Sequence, residues 1–196
     1  VADGRVRALR CRDAQGVESS LEVGPDDFVA STLPLGLLPD LMPQALSPAA
    51  ARACKEFVVL NDLLLVFLHI DKPSLLRESW VFVPDPEIAF HRLSEQESFD
   101  PEMTPNGGIV CCEIMSSETR EMSSRSDDEL AALALRGLER MGYAGFRVLH
   151  RRVIRLPRSY PVYRPGFEPA LAGVLGELDG LKNFRTIGRQ GAFNYI

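Results

Sequence analysis

Apolar and polar residues alternate through Arg5-Val6-Arg7-Ala8 and again through Arg10-Cys11-Arg12, with the phase slipping between Ala8 and Leu9. A period of two marks a strand, and a β-bulge at the slip reconciles the two halves. Asp13-Ala14-Gln15-Gly16 has turn chemistry, so 17–23 predicts the returning strand of a hairpin. After Gly24-Pro25-Asp26, the run 28–33 has few polar groups. It predicts a third strand, buried on both faces and stopped by Pro34. Residues 35–47 set Pro39 and Pro43 among leucines and predict a loop or a broken helix. Ser47-Pro48 is an N-cap followed by a first-turn proline, opening a short helix to 56. The apolar run 57–70 predicts one central strand with a break near Asn61-Asp62, and further strands follow at 80–83, 90–93 and 108–114. Ser126 and Glu129 form a capping box for a helix whose apolar stripe is Leu130, Leu133, Gly137 and Met141, closed by Gly142. Residues 146–156 predict a strand and 157–165 an irregular crossing. A last helix from 169 carries Leu171, Val174, Leu175 and Leu178 to Gly180, before a short strand at 184–187. Hairpins with separate helices predict an α+β fold: a mixed, largely antiparallel sheet with flanking helices, plus an N-terminal three-strand piece.

The chain has 196 residues, 45% hydrophobic and 25% charged, with a formal net charge of −5. That is enough apolar material for one domain or two small ones, and the acidic balance argues against a nucleic-acid partner. The longest apolar stretch, 63–68, is far short of the roughly 20 residues of a membrane span. Val1-Ala2-Asp3-Gly4 has neither the basic nor the apolar region of a signal peptide. A start other than methionine suggests a processed protein or a piece of a longer one. Cys11, Cys54, Cys111 and Cys112 form no CxxC pair, and adjacent strand residues point to opposite faces. They predict free thiols, buried or half-buried, in a reducing, cytoplasmic compartment. His69, His91 and His150 belong to no metal motif, so no metal site is expected.

No GxGxxG, GxxxxGK[ST] or GxSxG occurs. Arg147, Arg151, Arg152, Arg155, Arg158 and Arg164 crowd one region. They are either a solvated face paired with acids or an anion clamp of guanidinium forks. Tyr160-Pro161-Val162-Tyr163 either offers two hydroxyls to a polar ligand or plugs a loop against the core. Gly188-Arg189-Gln190-Gly191 directly follows a predicted strand. Its glycines permit close backbone approach to a bound group, although many such tetrapeptides are plain turns.

Three segments in order resemble one group of flavoproteins. These are Phe90-His91-Arg92-Leu93-Ser94-Glu95, then Tyr160-Pro161-Val162-Tyr163, then Gly188-Arg189-Gln190-Gly191-Ala192-Phe193-Asn194-Tyr195. They are similar to the family around UDP-galactopyranose mutase, with protoporphyrinogen oxidase and the flavin amine oxidases in the wider group. The stretch 27–34 also resembles the strand of the FAD domain that ends in proline. The resemblance implies that 1–46 and 183–196 are pieces of an FAD-binding domain and that 47–182 form the substrate-binding domain. The dinucleotide fingerprint would lie upstream and a last FAD-contacting helix downstream, so this piece alone would be inactive and would not retain FAD. Gly188, Arg189 and Gly191 would lie along the flavin, and Arg92, Tyr160 and Tyr163 would line the substrate pocket. Glu95 belongs to the same mutase pattern as Arg92, which there holds the substrate's charged group.

Where mutases follow with lysine and histidine, this chain has Glu97 and Ser98, and His91 stands where a small residue is expected. The oxidase side, with hydride transfer from substrate to flavin N5, therefore stands beside the mutase side, where reduced N5 attacks a sugar. A cofactor-free ligand-binding or interaction domain is the alternative of a different class. The expected partners are a small-molecule substrate and the rest of the FAD domain. As a fragment, the chain is expected to expose an apolar face near Leu35 to Leu41 and to self-associate through it.

Overall fold

The computed structural model describes residues 1–76, 78–104, 106–117, 119 and 121–195. The first elements are β1 (Ala8–Arg12), β2 (Glu18–Glu22), β3 (Val29–Ser31), a 3-10 turn (Leu35–Leu37) leading into α1 (Leu38–Leu41), α2 (Pro48–Phe57) and β4 (Val59–Ile70). Then come β5 (Trp80–Phe82), β6 (Arg92–Glu95), β7 (Gly108–Ser116), α3 (Asp127–Arg140) and β8 (Val148–Val162). The chain closes with α4 (Phe167–Asp179), β9 (Phe184–Thr186) and α5 (Gly188–Gly191). They make two compact units, Val1–Leu60 with Tyr160–Ile196, and Asn61–Ser159. The class is α+β.

In the first unit β1 and β2 form the hairpin, pairing Ala8 with Glu22 and Arg12 with Glu18. Asp13 holds the turn, its Oδ1 accepting from the backbone N–H groups of Gln15 and Val17 at 3.0 and 2.8 Å. The phase slip needs no bulge, because the ladder starts at Ala8. Val6 stays outside it and buried, with its N–H and C=O both bonded to the side-chain amide of Asn183 at 2.9 and 3.0 Å. One buried asparagine thus satisfies the backbone where a neighbouring strand otherwise would.

β3 pairs in parallel with β9, Val29 beside Phe184 and Ser31 beside Thr186. The expected burial on both faces is corrected: Ala30 is exposed, as are the flanking Phe28 and Leu33. Ser47 caps α2 by accepting from Ala50 N–H at 3.1 Å, and its own N–H and hydroxyl donate to Glu177 of α4 at 2.6 and 2.7 Å. That clamp helps hold α2 against α4 over a core of Leu35, Leu38, Cys54, Val174, Leu178 and Phe184. The broken helix at 35–41 therefore faces inward. Leu35 and Leu38 are fully buried and Leu37 half-buried, which leaves Leu41 as the exposed leucine of this stretch. α2 and α4 pack on each other within the first unit, and the two units divide at 60/61 and 159/160.

The second unit is built on a five-stranded sheet in the order β5-β6-β7-β4-β8. Alternation decides its faces. Val81, Leu93, Cys112 and Val66 stand side by side across four strands and pack into a core with Leu130, Ala134 and Leu138 of α3. α3 carries the capping box, with Glu129 N–H donating to Ser126 Oγ at 3.2 Å and Ser126 N–H donating to Glu129 at 2.8 Å. Gly137 lets the helix approach: a Cβ there would stand 2.4 Å from the Phe90 ring. Gly142 (φ 86°) ends it in the left-handed conformation that glycine tolerates best.

Two expectations fail in this unit. β4 runs unbroken through Asn61-Asp62, because the buried Asp62 carboxylate accepts from Ser123 Oγ and from Arg158 N–H, both at 3.0 Å. β8 continues through Pro157 and Pro161 where an irregular segment was expected. It is an edge strand, where a missing N–H is tolerated, and Arg158 at φ 55° marks a local distortion. Arg147, Arg151 and Arg155 pair with Asp71, Asp128 and Asp127, which is the solvated-face arrangement and not an anion clamp.

Candidate functional site

Parallel strands β3 and β9 end side by side at Ser31 and Thr186, and the chain then turns sharply into α5. The turn depends on its glycines. Gly188 sits at φ 78°, where a side chain would be strained. A Cβ on Gly191 would lie 2.7 Å from Thr186 Oγ1 and 3.0 Å from the Ser31 carbonyl. The Thr186 hydroxyl donates to the Gly191 carbonyl at 2.7 Å and ties α5 to the strand end. At Gly188 the nearest atom to an added Cβ is Thr32 Cγ2 at 4.0 Å, so that side of the peptide is open.

The exposed Arg189 guanidinium lies over two rings, with its Cζ 5.2 Å from the Tyr160 centroid and 5.8 Å from that of Tyr195. The rings are 5.3 Å apart. Such cation–π contacts are worth about 0.5–1 kcal/mol each at an exposed position, enough to orient the guanidinium while leaving its N–H donors available. Tyr163 is separate from this group. Its ring stacks on Phe167 at 4.6 Å and meets Phe193 edge-on at 5.8 Å. Phe193 (φ 51°) is buried, so the chain after α5 is pinned by an aromatic plug.

Arg92 belongs to the other unit. On the sheet face away from α3 it stands between Phe82 and Glu113, with Leu65 next across the sheet. Its Nε and one terminal nitrogen donate to the two carboxylate oxygens of the buried Glu113 at 2.7 and 2.8 Å, a fork-to-fork pair. Glu95 is fully buried and accepts from Ser74 Oγ at 2.7 Å and from the N–H groups of Leu75 and Leu76 at 2.5 and 3.1 Å, so it organises the 74–76 loop. His91 precedes β6 with Nδ1 buried and unpartnered. Burial pushes its pKa down against the pull of Glu113.

The thiols are chemically quiet: burial raises Cys54 to about 11 and Cys111 to about 12, and pushes Cys112 well up. Cys11 is exposed. Among the described residues no cluster of His, Cys, Asp and Glu is suited to a metal ion, and no helix is long and apolar enough to cross a membrane.

No protein-family model and no curated protein matches the chain. Solved structures do. A reduced UDP-galactopyranose mutase superposes with a TM-score of 0.76 at 16% identity, over 95% of this chain and 39% of that one. The chain has the fold of FAD oxidoreductase domains. A protein of Exiguobacterium sp. 255-15 described as a protoporphyrinogen oxidase matches with a TM-score of 0.68 at 15% identity, over 94% of this chain and 39% of that one. An oxidoreductase from Methanosarcina mazei matches at 0.64 and 14%, over 97% and 42%. The chain thus spans about two fifths of the length of the solved proteins it resembles.

Within that fold, Tyr160 and Arg189 come together, Tyr163 joins a neighbouring aromatic group, and Arg92 lies on the sheet of the other unit. Two participants were missed from sequence. Tyr195 lies inside the quoted Gly188 to Tyr195 segment, and its aromatic character was the available signal. Glu113 had none, since only strand register brings it beside Arg92.

Proposed function

We propose that the chain is the substrate-binding part of an FAD-dependent oxidoreductase of the amine oxidase and protoporphyrinogen oxidase type, together with pieces of its cofactor domain. The second unit acts as the substrate-binding domain. Gly188, Arg189 and Gly191 lie along the cofactor, and Arg92, Tyr160 and Tyr163 face the substrate. One observation carries the reading: the glycine turn stands at the carboxyl ends of a parallel strand pair, the position at which α/β sheets bind their ligands.

The residues fit such a group. The open side of Gly188 allows a planar ring to lie against the peptide, and Arg189, oriented by Tyr160 and Tyr195, can donate to a ring carbonyl. When bound, a flavin supplies the hydride acceptor at N5. The chain's own part is to hold the substrate carbon in place and to keep the arginine donor aimed. The likeness to UDP-galactopyranose mutase favours a second reading, a sugar-nucleotide mutase using the same residues.

The test is the visible absorption spectrum of the intact gene product, purified without added cofactor. A flavin spectrum released on denaturation supports the proposal. A colourless product that also ignores added FAD overturns it and returns the chain to a cofactor-free binding domain.

A further inference from the structure

We propose that Thr186 is a positioning residue for the cofactor turn: its hydroxyl fixes where Arg189 points, and so how tightly the flavin is held. The inference rests on the reading of Gly188, Arg189 and Gly191 as the cofactor-side turn and names the group that sets it.

Thr186 is the last residue of β9, half-buried and paired with Ser31 at the end of β3. Its hydroxyl donates to the Gly191 carbonyl at 2.7 Å, five residues further on, so the bond spans the whole of α5. Gly191 is buried and closely seated. A Cβ on it would stand 2.7 Å from Thr186 Oγ1, 3.0 Å from the Ser31 carbonyl and 3.4 Å from that of Leu33. One side of α5 is thus fitted against the strand ends, and the other carries the exposed Arg189.

Further bonds carry that seat to the arginine. Ala192 N–H donates to the Gly188 carbonyl and Asn194 N–H to the Arg189 carbonyl, both at 2.8 Å. Gly191 lies between Arg189 and Tyr195 in the chain, and Tyr195 is one of the two rings under the guanidinium. Fixing the Gly191 peptide therefore fixes the arginine and one of its rings together. Four residues are too few to hold a helix by themselves, since a first turn orders more of the chain than its bonds repay. α5 needs ties from outside, and the Thr186 hydroxyl is a side-chain tie from the strand. Without it the Gly191 carbonyl loses its donor, the turn loosens, and Arg189 is no longer held over Tyr160 and Tyr195. The loss of one such bond is worth up to about a factor of ten in an equilibrium constant.

The experiment compares the intact gene product with Thr186→Val, Thr186→Ser and Thr186→Ala, and with Arg189→Met alone and combined with Thr186→Val. Bound flavin is removed and each protein is titrated with FAD, followed by the flavin absorption spectrum. Far-UV circular dichroism is the check on folding. Thr186→Val, which keeps the shape and loses the hydroxyl, should weaken FAD binding about tenfold and shift the flavin bands. Thr186→Ala repeats that loss with a smaller side chain and serves if valine disturbs the strand. Thr186→Ser, which keeps the hydroxyl, should bind as the wild type does. On the Arg189→Met background valine should cost nothing further, because the group it misaims is gone. FAD binding by the hydroxyl-free variants equal to wild type overturns the proposal. So does a loss that serine fails to rescue, or one that is the same on both backgrounds. Those results leave the cofactor reading intact. A wild-type product that takes up no FAD overturns the cofactor reading and the proposal with it.

Discussion

Arg92 and Glu113 are 21 residues apart in the chain, and in isolation each reads as an ordinary surface charge. Strand pairing sets them side by side as a fork-to-fork ion pair, with the Glu113 carboxylate buried. His91, one residue earlier, shows the same dependence on surroundings. Its pKa in the folded protein lies below the ordinary value of 6.5, because burial penalises the imidazolium more than Glu113 favours it. The unfolded chain therefore binds the proton first, and stability present above about pH 6.5 falls as the solution is acidified through that value. Urea denaturation at about pH 7.5 and 5.5 should show a stability loss in the wild type that is smaller in His91→Phe. An equal loss in both proteins would show that His91 is not the group responsible.

At the scale of elements, glycine decides how closely helices approach their sheets. An exposed mid-helix Gly→Ala change is worth up to about 1 kcal/mol of stability through helix propensity. At Gly137 that gain is opposed by a Cβ placed 2.4 Å from the buried Phe90 ring and 2.9 Å from Ile88. Overpacking of this kind costs typically 1–3 kcal/mol, so Gly137→Ala should lower stability by about 1–2 kcal/mol, read as a lower denaturation midpoint. A stabilised variant would mean that Phe90 moves aside freely. Most elements were legible because their signals are local: the Asp13 turn, the Ser47 and Ser126 caps, and the glycine stop at 142. Asp62 was misread as a break since nothing local reveals the partners, Ser123 and Arg158, that satisfy it inside a strand. The length of β8 was missed for a related reason. Prolines end strands unless the strand is an edge, and only the assembled sheet shows which strand that is.

At the scale of the whole molecule, the described residues form two cores with no shared member. Leu138 is buried in one and Leu178 in the other. Each Leu→Ala substitution should cost about 2–5 kcal/mol in its own unit, and the double variant should lose the sum to within about 0.5 kcal/mol. Coupling well beyond that margin, measured by denaturation of the single and double variants, would show that the cores act as one.

The candidate site divides along the same line. The sequence by itself determined the class, the three longer helices with the caps at Ser47 and Ser126, the hairpin, and the glycine turn after β9, because each follows from the periodicity or backbone preference of neighbouring residues. It also carried, in the order of three short segments, the resemblance to flavoproteins that the fold bears out. Tertiary structure alone decided that Leu35 and Leu38 turn inward, that Tyr160 and Tyr195 flank Arg189, and that Glu113 neutralises Arg92. Those outcomes depend on which residues distant in the chain become neighbours. Burial and charge pairing are properties of that neighbourhood, not of the residues that enter it.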